Sequence, residues 1–227
     1  MTAQPSISVR GEATLEVDPE IAVISVTVMA RDADRHRVLD LFAKRNAQMM
    51  ALVRAQGDAV EKIESTAVSV HPEFKADKGK ERKAKERIVA YVARGSVNVT
   101  VGDFTVLGDL VAGLVSEEMI AVTGPWWSLR PGSPVHRQAR QSAAREAVAR
   151  AREYAEAFGG EVNGLTEVAD AGLLTEGEQP VRMRPMAVSR AAAFQAETED
   201  LEFEPAKQTV RVQVEARFTM TAPELGT

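Results

Sequence analysis

The segment "TVRVQVEARFTM", residues 209–220, alternates apolar and polar side chains along its whole length. Val210, Val212, Val214, Ala216, Phe218 and Met220 fall on one side; Arg211, Gln213, Glu215 and Arg217 fall on the other. A period of two belongs to a strand with one buried and one solvated face, and a helix cannot satisfy it. The same period opens the chain. "ISVRGEATLEV" sets Ile7, Val9, Ala13, Leu15 and Val17 against Ser8, Arg10, Glu12, Thr14 and Glu16, and "IAVISVTVMA" aligns Ile24, Val26 and Val28. Between them "DPE" supplies a turn in which Pro19 pre-sets the backbone angle. The two opening segments therefore read as an antiparallel hairpin.

From residue 34 to 56 the period becomes helical. Val38, Leu41, Phe42, Met49, Leu52 and Val53 form the stripe, Arg45 is the one charge on it, Asp32 or Asp34 caps the start and Gly57 suits the end. Strand patterns return in "KIESTAVSVHPEF" and "IVAYVARGSVNVTV". A short helix follows over 104–115, carrying Leu107, Leu110, Val111 and Leu114, and then the strand "MIAVTGPWWSL". "SPVHRQARQSAAREAVARAREYAEAFGG" is the strongest helix signal, with Ser133 as cap, Pro134 in the first turn and Gly159-Gly160 as stop. Its inner stripe reads Val135, Ala139, Ala143, Ala147, Ala151, Tyr154 and Phe158, mostly small, so this helix can approach its partner closely. "GLTEVADAG" is a further strand. Residues 172–208, with Pro180, Pro185 and Pro205 and no period, read as a long irregular excursion. The order ββαββαβαββ predicts an α+β fold: a largely antiparallel sheet with helices packed on one face, in a single domain over 1–227.

Composition narrows the function. Aromatic residues are 5% of the 227, so aliphatic side chains must build the core. A net charge of −5 argues against the whole surface gripping a polyanion, because that needs Lys and Arg against phosphate. With no cysteine, disulfides, thiolate catalysis and Cys-based zinc sites are excluded. The opening "MTAQPSISVRGEA" lacks an apolar signal core, and no run nears the roughly 18 apolar residues of a membrane span. A cytoplasmic location is expected, or a periplasmic or exported one if a leader was removed. His36, His71 and His136 are scattered, and no nucleophile elbow, phosphate loop or dinucleotide fingerprint is present. No catalytic residue, cofactor or metal is expected, and the reading leans away from an enzyme.

Two stretches stand out as contact candidates. "KADKGKERKAKER", residues 75–87, carries seven bases and three acids, a local +4. Its strand-like flanks make it a solvated hairpin tip, and it contains no Tyr, Phe or Trp for stacking on bases. Lys78, Lys80, Arg82, Lys83, Lys85 and Arg87 are the polyanion-contact set, with weak nucleic-acid binding an alternative that the missing aromatics disfavour. In "GPWWSL", a strand would send Trp126 and Trp127 to opposite faces, one into the core and one outside. Exposed indoles are enriched at interfaces, so Trp126 and Trp127 are interface candidates: the favoured reading is core packing with incidental exposure of one ring, and the alternative is a homo-oligomer or ligand contact. Met183, Met186 and Phe194 in "QPVRMRPMAVSRAAAFQ" complete the interface candidates, as parts of either a strap that docks on a partner or a disordered surface loop.

The chain resembles the SIMPL-domain family, shared by a kinase-associated signalling adaptor and bacterial envelope or stress proteins. The matching stretches are "ISVRGEATLEVDPEIAVISVTV", "IESTAVSVHPEF", "AYVARGSVNVTV", "AREAVARAREYAEAFGGEVNGLTEV" and "FEPAKQTVRVQVEARFTM". It departs from the family pattern in lacking a signal-like opening and in having Ala90 and Ala206 where glycines are common. The resemblance implies a non-enzymatic protein that acts by self-association or partner binding, in a stress-related role, and it carries no catalytic positions over. The alternatives are a small-molecule binder or enzyme with a pocket between sheet and helices, and a weak nucleic-acid binder through the 75–87 loop.

Overall fold

The structure is a computed structural model that describes residues 4–76, 86–173 and 201–223. Its elements run β1 (Ser6–Val17), β2 (Ile21–Asp32), α1 (Arg35–Arg54), β3 (Val60–Ala76), β4 (Glu86–Val101), α2 (Leu107–Val115), β5 (Ile120–Ser128), α3 (Pro134–Ala157), β6 (Val162–Asp170) and β7 (Gln208–Met220). This is the expected ββαββαβαββ order of an α+β fold. The strands form two antiparallel sheets, β1–β7–β6 and β3–β4–β2–β5. They lie in two compact units, one holding β1, α3, β6 and β7, the other β2 to β5 with α1 and α2.

The opening hairpin does not form. β1 pairs with β7 in an unbroken register from Ser6↔Thr219 to Val17↔Gln208, while β2 is flanked by β4 and β5. The reason lies in β2 itself. Ala22, Ile24, Val26, Val28 and Ala30 are all fully buried, which demands a central strand, and both its edges are taken by the matching alternation of β4 and the shorter β5. No edge is left for β1, whose own alternation finds its complement in the last strand.

In the first unit α3 lies along β1 and β7. Its buried stripe is Ala139, Ala143, Ala147, Ala151 and Ala155. Tyr154 and Phe158, expected inside, are half-exposed, and Ala155 holds the inner position instead. The helix sits too close to the sheet for a ring. Gly11 on β1 shows how close: a Cβ there would stand 2.6 Å from the Ala147 amide nitrogen, 2.7 Å from the Ala147 methyl and against the Ala143 carbonyl oxygen. Val9, Ala216 and Phe218 fill the rest of this small core. The helix also seals the outer margin of β1. Glu146 accepts a hydrogen bond from the Glu12 amide (3.1 Å), Arg150 donates to the Arg10 carbonyl (2.9 Å), and the two side chains pair at 2.8 Å one turn apart.

In the second unit α1 and α2 cover one face of the four-stranded sheet. Met49 and Val53 of α1 and Leu107, Leu110, Val111 and Leu114 of α2 pack on the β2 and β4 valines. Asp34 caps α1, accepting from the amides of His36 (2.8 Å) and Arg37 (3.0 Å). These bonds, from Arg37 first and His36 second, hold its carboxyl below the usual range. Arg45, the charge on the apolar stripe, is used rather than tolerated: it donates to the Met29 carbonyl at 3.0 Å and pairs with Glu118 at 3.1 Å.

Two glycines give opposite expectations. Gly11→Ala forces helix and sheet apart and costs about 1–3 kcal/mol, whereas Gly113→Ala, in the last turn of α2 with nothing within 4 Å of the new methyl, gains roughly 0.5 kcal/mol. Urea unfolding of both variants beside the parent checks the pair. A Gly11→Ala midpoint equal to the parent's contradicts the close approach.

Candidate association surfaces

β5 is an edge strand of the four-stranded sheet, and its alternation splits the tryptophan pair. Trp127 stands opposite Ala22 and enters the core, meeting Phe104 edge-on with ring centroids 4.9 Å apart. Trp126 stands opposite Val23 on the face away from the helices and is 51% exposed. That face carries small polar side chains on the neighbouring strands: Ser25 opposite Asn98, Val23 opposite Thr100, and Thr27 hydrogen-bonded to Ser96 at 3.0 Å. The indole is the large apolar group at its margin.

At one end of the same sheet β3 and β4 outrun their neighbour. β2 stops at Asp32↔Tyr91, while β3 and β4 continue to pair through Ala76↔Glu86. The result is a two-stranded arm. Phe74 and Ile88 are cross-strand partners on it, so they share a face, and they are 52% and 43% exposed. The arm is clamped at its root by Arg31, whose Nε donates to Glu73 at 2.7 Å. That hydrogen bond first, and the guanidinium charge as well, hold the Glu73 carboxyl below the ordinary range. Arg87 is exposed on β4. Lys78, Lys80, Arg82, Lys83 and Lys85 lie outside the described residues, as do Met183, Met186 and Phe194. The Ala76↔Glu86 pairing does make residues 77–85 the connection between two paired strands.

At the other end residues 201–206 lie along the helical layer. Leu201 and Phe203 pack on the core, and Glu202 and Glu204 are exposed. Gly108, in the first turn of α2, meets the Leu201 carbonyl so closely that a side chain there would push the segment off. Arg130, just past β5, pins this end: its amide donates to Glu20 at 2.9 Å and its guanidinium bonds to Glu61. The bond to Glu61 raises the Arg130 pKa further above its ordinary value.

Among the described residues no group of His, Cys, Asp and Glu is placed to hold a metal ion. His36 and His71 are exposed, and His136 is half-buried in the first turn of α3. An open hollow of about 750 Å³ lies where α3 ends, lined by Arg152, Glu156, Gly159, Gly160, Glu161, Val162 and Thr221. No helix among the described residues is long and apolar enough to cross a membrane. Sequence reasoning missed the arm. Its one signal was the near-symmetric placing of Phe74 and Ile88 either side of the basic stretch.

The family model SIMPL, described as a protein of unknown function (DUF541), matches residues 7–218. Comparison with curated proteins returns no match.

The clamp on the arm has a pH signature. Glu73 has a lowered folded-state pKa, so its bond to Arg31 is fully present above the ordinary glutamate value of about 4.3 and is lost as pH falls through the lowered one. Amide exchange at Phe74 and Ile88 is expected to be faster in Glu73→Gln than in the parent at neutral pH. The difference should vanish in strong acid. Equal exchange at pH 7 contradicts the clamp.

Proposed function

We propose, from the premise that the chain belongs to the SIMPL family, that this protein is non-enzymatic and acts by associating with itself, in a stress-related role. The observation that carries the reading is Trp126, half-exposed on an edge strand beside a face of small polar residues. An indole side chain has about 150–250 Å² of surface, so covering the exposed half removes roughly 100 Å² from water. That is worth about 2–3 kcal/mol. An edge strand adds unpaired backbone groups beside it, which another chain can satisfy. On this reading both units belong to one SIMPL-like domain, since a single family match runs through residues of each.

Light scattering after size exclusion tests the reading. The parent is expected to run as more than one copy, and a strict single copy overturns the self-association reading. Trp126→Ala should shift the population to single copies and leave the unfolding midpoint unchanged. Trp127→Ala should instead lower stability by about 3 kcal/mol, because it removes a ring packed on Phe104.

A further inference from the structure

The four-stranded sheet carries α1 and α2 on one face. On the opposite face β2 presents Ile21, Val23, Ser25, Thr27 and Met29, all half-buried, and β4 sets Thr100, Asn98, Ser96 and Arg94 beside them. β5 adds Ala121, Thr123 and Trp126. Arg94 is the one charge among these positions. A sheet face made for water reads differently, as the first unit shows. Away from α3, β1 and β7 carry Arg10, Glu12, Glu16, Arg211, Glu215 and Arg217.

At the core of a protein interface Lys, Glu and Asp are depleted, aromatic residues, Met and Arg are enriched, and charge is left to the rim. The β5–β2–β4 face has that anatomy. Trp126, Met29 and Arg94 stand on it, and charge returns only beyond it. Lys62 and Glu64 pair at 2.7 Å on the far strand β3, and Arg31 pairs with Glu73 at the root of the arm. The area also suits a contact. From Ile21 to Met29 is eight steps, about 27 Å, and four strands span about 19 Å. Two such planes, each about 500 Å², cover roughly 1,000 Å², the size at which a specific interface begins.

The chemistry of the face selects its occupant. One guanidinium is too little for a polyanion. Hydroxyls and amides both donate and accept, so a face of Ser, Thr and Asn is complementary to its own copy. Nor does facing itself cost charge repulsion: Arg94 lies opposite Met29 near one end, and a two-fold axis crossing the strands near Ser25 sends the two guanidinium groups to opposite ends. We infer that two copies of this chain pack these sheet faces together as a two-fold sandwich, with Trp126 covered at its margin. This rests on the self-association reading and names its geometry. The contact is isologous and closes at two copies, with the sheets about 10 Å apart and their strands within about 30° of each other.

Light scattering of the full chain is expected to show two copies at 0.1 M and at 1 M salt alike, because an uncharged contact is not screened. Thr27→Lys sets like charges in the middle of both faces and should weaken pairing about a hundredfold. Thr14→Lys, on the solvated face of β1, should leave it unchanged. The chain has no cysteine, so Ser25→Cys supplies a single thiol, and a short bis-maleimide should link two copies through it without disturbing the fold. Three results overturn the sandwich and leave self-association standing: equal weakening by Thr14→Lys, loss of pairing at 1 M salt, or pairing that survives Thr27→Lys and gives no Ser25→Cys linkage. Single copies of the parent overturn both.

Discussion

The first unit depends on how near α3 comes to β1. At Gly11 the helix backbone occupies the space a side chain would need, and five alanines at four-residue steps allow the helix to lie that low across the sheet. Close approach exchanges side-chain bulk for contact between backbones, so a modest core of Val9, Ala216 and Phe218 suffices. It also sets what the helix flanks can touch. Only a helix this low brings the Glu146 and Arg150 side chains to the backbone of the strand beneath. The second unit has the reverse design: full-sized valines and leucines fill a deep layer between β2, β4 and the two helices.

Much of this was legible in the sequence, and what was not has a common cause. Period-two segments and capped helical stripes are local, so all ten elements and their order could be read directly. Pairing is not local. β1 and β2 read as a hairpin because a proline turn joins them, yet β2, with one face wholly buried, takes as neighbours two strands that lie up to about a hundred residues away in the chain. The tryptophan split was readable because alternation alone decides it. The arm was not, because it exists only as a difference in length between β4 and β2, and strand ends are where local pattern is weakest. Tyr154 and Phe158 were misplaced for a similar reason: helical spacing allowed them inside, and only the depth of the packing kept them out.

Three ion pairs lie near the candidate surfaces: Arg31 with Glu73, Arg130 with Glu61, and Arg45 with Glu118. Pairs this exposed contribute little stability. Each instead fixes an end of a strand or segment: the root of the arm, the exit from β5, the loop before β5. A carboxylate engaged by a guanidinium is poorly placed as a general base, since its lone pairs are occupied and its pKa is pulled away from neutrality, as Glu73 illustrates.

The sheet edges are treated differently from one another. β1 has twelve unbroken pairs with β7 and would present a long flat edge, but Glu146 and Arg150 already satisfy the Glu12 amide and the Arg10 carbonyl there. β6 has two register shifts in nine residues and β3 has three along its length, and such irregularities twist an edge away from strand addition. β5 has one shift against β2. It carries Pro125, which has no amide to offer a further strand, next to the half-exposed indole. Three edges are thus blunted by two means: side chains of α3 at β1, and register shifts at β6 and β3.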